Sequence, residues 1–363
     1  MSVRFGVMVL SVLSVLALAG CGQRTAAPAP QPSDQVAPLK IKPAAPSPTL
    51  KAVRARGEVL CGVNPELPGF AFQDNGGRWR GFNVDFCRAL AAAVLGKPDK
   101  VRFVALGNEE RITALRTGKV DVLWRNTSWT FSRDAGDQLD MAAISYFDGQ
   151  GFLVRRSLNL TSAVELNTAK ICVQSNATSA QNLEDFFRAR GIAYTAVVFD
   201  SEDEARAAYQ ADKCDAFTAD ISALAAARSV LDDPAAHVIL PDAISKEPLG
   251  PLVRQNDPAW TDIVRWTLEA LILAEEHGVT KANARDMKTG ADPEARRLLG
   301  EGGYGAMLSL DPDWAYRAVT AGGNYGEIFD REIGSGSALK LDRGLNALWN
   351  APKPGLLYAP PLR

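Results

Sequence analysis

The sequence lacks the motifs that most often mark an enzyme or a metal site. It contains only two histidines, His237 and His277, and no CxxC pair, so a zinc site is not expected. No HExxH, Walker or GxSxG motif occurs, and neither catalysis nor a cofactor is predicted. Basic and acidic residues nearly balance, 40 against 42, without a strongly basic stretch, so nucleic acid is not an expected partner.

The N-terminus has the pattern of a targeting segment. Within residues 1–20, Arg4 precedes an apolar stretch, Phe5 to Leu18, that is too short to span a bilayer comfortably. The next residues, Leu-Ala-Gly-Cys, resemble the lipobox of bacterial lipoproteins, which would make Cys21 the lipid-modified N-terminus. The alternative is ordinary signal cleavage that leaves Cys21 as a free thiol. The lipobox interpretation predicts a periplasmic protein that a lipid anchors to a bacterial membrane.

Residues 21–50 are predicted to be a linker. They are rich in alanine, proline, glutamine and serine and have almost no large apolar side chains, so they cannot bury enough surface to fold. Their prolines favour an extended, semi-stiff spacer. A lipid followed by a spacer indicates a soluble domain tethered beside the membrane.

The remaining chain is expected to form two similar lobes. Its length exceeds the usual size of one compact core, since the whole sequence has 363 residues. Strands alternate with helices from residue 56 to residue 124, and a run of the same plan spans residues 169–219. Each run has the order of a βαβαβ unit, which predicts an α/β protein with two lobes built on parallel-core sheets.

The two lobes are predicted to share a hinge. The chain should cross between them near residues 145–151 and return near residues 245–251, where a proline-rich segment is unsuited to a helix. Two connecting segments make a hinge, and the cleft beside it is a natural pocket. The first lobe is therefore predicted to comprise residues 51–147 and 248–363, with a C-terminal helical extension, and the second lobe residues 148–247.

The cysteines are consistent with an oxidising compartment. Apart from Cys21 an even number remains, namely Cys61, Cys87, Cys172 and Cys214, which allows three pairings. The pairing of Cys61 with Cys87 and of Cys172 with Cys214 is favoured, because each bond then joins a strand to a neighbour inside one lobe. A bond across the lobes would block their relative motion.

A cluster of polar side chains follows the predicted buried strand that ends at residue 123. In an open α/β sheet, the carboxyl end of a strand is where groups are presented to a ligand. Arg133 offers a planar fork that can bind a carboxylate with two hydrogen bonds, and Asn126 and Ser128 add neutral donors and acceptors. The alternative is a solvated loop in which Arg133 pairs with Asp134 or Asp137.

Several segments together resemble the solute-binding proteins of polar amino-acid ABC importers, and more narrowly their general L-amino-acid-binding branch. Each segment alone would be weak evidence, but together they are specific and extend over residues 51–363. The segments are CGVNPELPGF from Cys61, GFNVDFCRA from Gly81, RNTSWT from Arg125, YFDGQGF from Tyr146, ISKEPLGP from Ile244 and NYGEIF from Asn324.

The resemblance implies a two-lobed periplasmic binding protein fold of type II and assigns roles to residues. Arg133 falls where the family holds the ligand α-carboxylate, with Ser128 and Asn126 on the turn beside it. Asp220 falls where a carboxylate receives the ligand ammonium; its alternative role is the N-cap of a helix. A zwitterion needs one cation and one anion facing it, so Arg133 and Asp220 on opposite lobes would make closure depend on the ligand.

The remaining implied contacts lie on two loops. Thr178 lies on the ligand loop of the second lobe, and Phe70 or Phe72 lies where an aromatic lid covers the ligand, although core packing would explain either ring equally well. Where the family commonly has Gly-Thr-Thr, this chain has Asn176 and Ala177 before Thr178. Asn tolerates positive φ best after glycine, but the loss of a hydroxyl at Ala177 leaves the ligand range open.

The implied function is that of a monomer that binds L-amino acids in the cleft and delivers them to the transmembrane subunits of an ABC importer. A membrane-tethered amino-acid sensor of the same fold is the first alternative. A cyclohexadienyl dehydratase-like enzyme is a further alternative, and Glu66 is its only candidate acid on a loop.

Overall fold

The computed structural model describes residues 42–363, which form two α/β lobes. The first lobe is called the large lobe and the second the small lobe below. In chain order the strands are β1 (Val59–Val63), β2 (Glu66–Leu67), β3 (Ala71–Gln73), β4 (Trp79–Arg80), β5 (Val101–Ala105), β6 (Val122–Ser128), β7 (Leu139–Met141), β8 (Tyr146–Asp148), β9 (Gln150–Arg155), β10 (Lys170–Gln174), β11 (Thr195–Phe199), β12 (Ala216–Asp220), β13 (His237–Ile239) and β14 (Glu247–Arg254).

Helices cover the faces of both sheets. In chain order they are α1 (Pro48–Arg56), α2 (Phe82–Leu95), α3 (Arg111–Arg116), α4 (Thr178–Arg190), α5 (Glu202–Gln210), α6 (Ile221–Ser229), α7 (Pro258–Glu276), α8 (Ala284–Met287), α9 (Pro293–Leu298), α10 (Trp314–Gly322) and α11 (Tyr325–Glu332). None of the helices in this part of the chain has both the length and the apolar character needed to cross a bilayer.

Each lobe has a parallel core, as the sequence predicts. The large sheet has the order β5-β1-β6-β14-β7, with β8 also pairing with β14, and β1 runs parallel to β5 and β6. The small-lobe sheet has the order β11-β10-β12-β9-β13, and β10 runs parallel to β11 and β12. The antiparallel strands β14 and β9 follow the two chain crossings. A third, small sheet, β2-β3-β4, lies between β1 and α2 in the chain.

The chain passes between the two sheets at two crossings that lie close together. Asp148 and Glu247 pair within the large sheet, and Gln150 pairs with Asp220 within the small-lobe sheet. Gly149 lies at the crossing, where an added Cβ would be 2.9 Å from the Ser245 carbonyl oxygen. The two crossing segments are therefore in close backbone contact, which only glycine allows at this position.

The folded part begins earlier than the predicted linker boundary at residue 50. Ser47 caps α1 by accepting a hydrogen bond from the Leu50 amide at 3.0 Å, and its hydroxyl donates to Asp257 at 2.9 Å. Leu50 and Val53 are buried. A proline at the first helical position and a serine cap start a helix inside a segment whose composition suggested a spacer. Residues 1–41, including Cys21, lie outside the described residues.

The disulfide pairing within lobes is confirmed by the structure. Cys61 on β1 pairs with Cys87 on α2, and Cys172 on β10 pairs with Cys214 just before β12, with Cα atoms 6.3 and 5.7 Å apart. By loop entropy, bonds that close loops of 26 and 42 residues stabilise the fold by about 3.5 and 4 kcal/mol. Both lobes are thus held internally while the hinge carries no covalent link across it.

Aromatic side chains fix the C-terminal helices to the large lobe. Phe82 lies within 6.1 Å of Tyr146, Tyr325 and Phe329, measured between ring centroids. The Tyr325 hydroxyl donates to the Ser145 carbonyl at 2.9 Å. Helix α11 thus packs on the large lobe beside strand β8, which contains Tyr146.

A local prediction concerns the start of α5. The sequence pattern there predicts a capping box, and the structure confirms it: Ser201 Oγ accepts from the Glu204 amide at 3.1 Å, and Glu204 Oε2 accepts from the Ser201 amide at 3.2 Å. Ser201→Ala should lower the free energy of unfolding by about 1 kcal/mol, because the Glu204 amide at the start of the helix loses its hydrogen-bond acceptor. Urea denaturation measures this; Ser157→Ala, at an exposed position, should change it by less than about 0.5 kcal/mol.

Candidate functional site

A cavity between the lobes collects the polar groups that follow the sheet strands. Asn64 follows β1, Ser128 ends β6, Gln174 ends β10 and Asp220 ends β12. The carboxyl ends of parallel strands meet at one edge of a sheet, and here the two edges face each other across the cleft. The lining residues are Asn64, Leu67, Asn108, Arg111, Arg125, Asn126, Ser128 and Arg133 from the large lobe, and Gln174, Ala177, Thr178, Ser179, Glu202, Ala219, Asp220 and Ala223 from the small lobe.

Arg133 supplies a positive wall of this cavity. It lies in the π-helical turn Ser132–Gly136 directly after β6, and its Nη1 donates to the Ser128 carbonyl at 2.6 Å. Burial lowers the pKa of Arg133, and the carboxylates of Glu247, Asp220 and Asp137 oppose that effect. Asp134 accepts from the Trp129 indole at 3.2 Å instead of holding Arg133. The guanidinium therefore retains donors for a ligand.

Asp220 supplies the facing negative wall. It occupies the N-cap position of α6, but its side chain makes no capping hydrogen bond. Asp148 provides that cap by accepting from the Ser222 amide at 3.2 Å. Burial raises the pKa of Asp220 well above its ordinary value, and the nearby carboxylates Asp148 and Glu247 add to the effect. A cation placed beside Asp220 would favour the ionised carboxylate and so oppose both effects on its pKa.

The hydroxyls of Ser128 and Thr178, two predicted ligand contacts, bind Glu247, a residue that the sequence did not indicate. Ser128 Oγ donates to Glu247 Oε2, and Thr178 Oγ1 donates to the same oxygen at 3.0 Å. Asn182 Nδ2 donates to Glu247 Oε1 at 2.8 Å. Glu247 is only 3 % exposed and starts the hinge strand β14. It thus links the large-lobe turn to α4 of the small lobe.

The other predicted residues divide between this cavity and the core. Asn126 lines the cavity with φ of 50°, and its Oδ1 accepts from Asn83 at 2.5 Å. Phe70 does not reach the cavity, because it is fully buried against Phe82 and Tyr146 at centroid distances of 5.9 and 5.6 Å. Phe72 lies on β3 and lines a neighbouring cavity. Phe70 is therefore part of the core, whereas Phe72 borders the cavity that shares Leu67 with the site.

The loop that departs from the family pattern has the predicted backbone conformation. Asn176 has φ of 53°, in the left-handed region that asparagine tolerates. Ala177 and Thr178 line the cavity, and Ala177 occupies the N-cap position of α4 without a side-chain cap.

Two further buried arginines line the same cavity. Arg125 donates from Nε to the Leu106 carbonyl at 2.6 Å and from Nη1 to Asn108 Oδ1 at 2.7 Å. Burial lowers the pKa of Arg125 to about 10. Arg111, the first residue of α3, donates from Nη2 to the Asn176 carbonyl at 3.2 Å. Arg125 could have been found in the sequence, since it lies in the same polar segment, on β6; Arg111 carried no such signal.

Comparison with known proteins places this geometry in a family. The profile of the bacterial extracellular solute-binding proteins, family 3, matches residues 59–279. The chain belongs to this family. The matched region contains both sheets, the two hinge crossings and every residue that lines the cavity.

This family 3 protein is similar to several characterised relatives. It is 51 % identical to the general L-amino acid-binding periplasmic protein AapJ of Rhizobium johnstonii. The similarity extends over 323 residues, which are 88 % of this chain and 94 % of AapJ. It is also 51 % identical to the glutamate/glutamine/aspartate/asparagine-binding protein BztA of Rhodobacter capsulatus, over 88 % and 95 % of the two chains. A solved periplasmic binding protein from Brucella ovis with glutathione bound has a TM-score of 0.85 and 51 % identity, over 87 % of this chain and 99 % of that one.

Proposed function

We propose that this protein binds L-amino acids in the cleft between its lobes and delivers them to the transmembrane subunits of an ABC importer. The observation that carries the proposal is that Arg133 from the large lobe and Asp220 from the small lobe line one cavity. Their charges are opposite, as the two ends of an amino-acid zwitterion require. The names of AapJ and BztA support the same ligand class.

The geometry couples ligand binding to closure of the lobes. The ligand carboxylate would take the free donors of Arg133, and the ammonium would approach Asp220, whose pKa is raised by burial and by the nearby carboxylates Asp148 and Glu247. A ligand that contacts both lobes stabilises the closed arrangement by its difference in affinity for the two states. The hinge at Gly149 and Glu247 permits this movement because neither disulfide crosses it.

The same geometry argues against the enzymatic alternative. Glu66, the candidate acid, does not line the cavity that contains Arg133 and Asp220 but lines two neighbouring ones. The relatives named above are solute-binding proteins. A binding role therefore accounts for the arrangement without a catalytic step, and a sensor would use the same closure with a different partner.

The proposal also includes periplasmic tethering of a monomer. AapJ is named a periplasmic protein, and the family is extracellular. The Leu-Ala-Gly-Cys sequence ending at Cys21 supports a lipid anchor there, followed by a spacer that ends before the α1 cap at Ser47.

A thermal-shift screen of the full chain in detergent tests the proposed function. L-amino acids should raise the unfolding temperature, since a ligand at 100 times its Kd adds about 2.7 kcal/mol of stability. The D-enantiomers serve as the matched control and should give smaller shifts, because they cannot place carboxylate, ammonium and side chain in the same positions. Absence of a shift with all twenty L-amino acids would contradict the proposal.

A second ligand class follows from the shape of the cleft. A cavity of about 340 Å³ adjoins the site and shares Leu67, Glu202 and Ala223 with it. The Brucella ovis relative has glutathione bound, and glutathione carries a free α-ammonium and α-carboxylate on its γ-glutamyl end. Glutathione therefore belongs in the screen, where its binding should also require Arg133.

A further inference from the structure

The buried carboxylate of Glu247 receives hydrogen bonds from both lobes. Glu247 is only 3 % exposed, and in the part of the chain that the structure describes its two oxygens accept four hydrogen bonds. Oε2 accepts from Ser128 Oγ and from Thr178 Oγ1 at 3.0 Å, and Oε1 accepts from Asn182 Nδ2 at 2.8 Å and from Ser245 Oγ at 2.7 Å. A carboxylate accepts hydrogen bonds and does not donate them, which fixes the direction of all four.

The direction of two of these bonds determines what the cavity offers to a ligand. Ser128 and Thr178 both line the cavity. A hydroxyl has one proton and two lone pairs, so a hydroxyl that donates to Glu247 presents only lone pairs to any other group. The two hydroxyls can therefore accept from an N–H group of a ligand, but they cannot donate to a ligand carboxylate.

The two hydroxyl oxygens belong to the same part of the cavity as Asp220. They converge on one oxygen of Glu247, and Glu247 lies close enough to Asp220 to raise the pKa of that carboxyl. This wall of the cavity thus offers three acceptors, namely one carboxylate and two hydroxyl oxygens. An ammonium group has three N–H donors and can satisfy all of them.

Such a wall discriminates between ligands by the group on their α-carbon. An α-hydroxy acid has a single O–H there and an α-keto acid has no donor, so either would leave buried acceptors without a partner. A site built to hydrogen-bond a donor of its ligand rejects an analogue that lacks the donor by a large factor.

We propose that Glu247 is a positioning residue of the site, which takes the protons of the Ser128 and Thr178 hydroxyls and so makes both oxygens acceptors for the ligand ammonium. This inference rests on the proposed function, because the ammonium must enter beside Asp220. Arg133 remains the donor for the ligand carboxylate. Through the two hydroxyls, Glu247 selects α-amino acids against α-hydroxy and α-keto acids of the same shape.

Isothermal titration calorimetry of the full chain in detergent tests this role with L-norvaline and (S)-2-hydroxypentanoate, which differ only in the group on the α-carbon. The wild type should bind norvaline at least about 100-fold more tightly, with the hydroxy acid measured by competition. Glu247→Gln replaces one acceptor oxygen by an N–H donor, which turns the hydroxyl protons towards the cavity. Norvaline affinity should fall about 10- to 100-fold and that of the hydroxy acid by less than about 3-fold.

Removal of the hydroxyls shows whether Glu247 acts through them. In the Ser128→Ala/Thr178→Val background, Glu247→Gln should lower the affinity for norvaline by less than about 3-fold, because the groups that it positions are gone. An equal loss with and without the hydroxyls would show that Glu247 only supports the hinge, and would overturn the proposal. Glu184→Gln makes the same chemical change at an exposed position of α4 and should alter neither affinity.

The outcomes separate this role from the proposed function. An undiminished preference for norvaline in Glu247→Gln contradicts the role of Glu247. If Glu247→Gln does not fold, Thr178→Ser should keep the preference for norvaline and Thr178→Val should reduce it by at least about 3-fold, since only serine retains the hydroxyl; equal preferences in the two variants overturn the proposal. If the wild type binds neither norvaline nor any other L-amino acid, the proposed function itself fails.

Discussion

Replacing Arg133 with alanine is expected to abolish the thermal shift for every amino acid, with dissociation constants raised more than about 100-fold. The reason is that all amino acids share the α-carboxylate, and Arg133 is the guanidinium whose remaining donors face the cavity from the turn after β6. Removing it takes away the donors that we assign to the ligand carboxylate, while the carboxylates of Asp220 and Glu202 remain in the cavity. Titration calorimetry with the panel described above measures the loss.

Matched variants show whether the loss is specific. Arg133→Lys retains a charge but not the planar fork, so binding should be weakened for all ligands yet remain measurable. Arg116→Ala removes an exposed arginine of the large lobe and should leave affinity unchanged. An undiminished thermal shift in Arg133→Ala would contradict the assignment of the α-carboxylate to this residue.

The architecture could be predicted because it follows from local patterns that repeat. The strands β1, β5 and β6 alternate with helices, and β10, β11 and β12 follow the same plan, so two parallel-core lobes were foreseeable. The segment from Asn126 to Arg133 could be found because polar side chains are unusual at the end of a buried strand, which here extends to Ser128. In an open α/β sheet a ligand site lies at the carboxyl ends of the strands, so its location can be predicted without knowing how the side chains pack.

Contacts between segments distant in sequence could not be predicted in the same way. Glu247 lies 119 residues from Ser128 and 69 from Thr178, and only the folded hinge brings its carboxylate to both hydroxyls. Arg111 begins a short helix and looks like any surface arginine until α3 is placed against the Asn176 loop. Phe70 follows the core-packing alternative, because it lies in the turn between two short strands and its ring packs against Phe82.

The carboxylates around the hinge explain why the ligand ammonium matters for the small lobe. Burial raises the pKa of Asp148 to about 6, and the nearby Glu247 adds to this effect. Burial also raises the pKa of Asp220, where Asp148, Glu247 and Glu202 add to the effect. Arg133 is the cation that opposes it. Without a ligand the acidic cluster therefore retains protons more readily than isolated carboxyl groups. A bound ammonium favours the ionised form, so binding should release protons in mildly acidic solution.

Asp220→Asn is the second large effect that we expect. Removing one partner of a buried charge pair costs about 3–5 kcal/mol, so affinity for all amino acids at pH 7 should fall by more than about 100-fold. The wild-type affinity should decrease as pH is lowered through the raised pKa of Asp220, because the protonated carboxyl must lose its proton before it can pair with the ammonium. In the asparagine variant this component of the pH dependence should disappear. Calorimetry at several pH values, in buffers of different ionisation enthalpy, measures both affinity and proton release.

The pH profile distinguishes direct pairing with the ammonium from a structural role of Asp220. Because its side chain caps no helix, the variant should unfold at nearly the wild-type temperature without ligand. Asp185→Asn, an exposed carboxylate of the same lobe, should keep both the affinity and the proton release. If Asp220→Asn lost affinity but released protons as the wild type does, the titrating group would be Asp148 or Glu202, and the ammonium would have to be assigned to that carboxylate instead. With Glu202 the opposed charges would still lie on the two lobes, whereas with Asp148 both would lie on the large lobe.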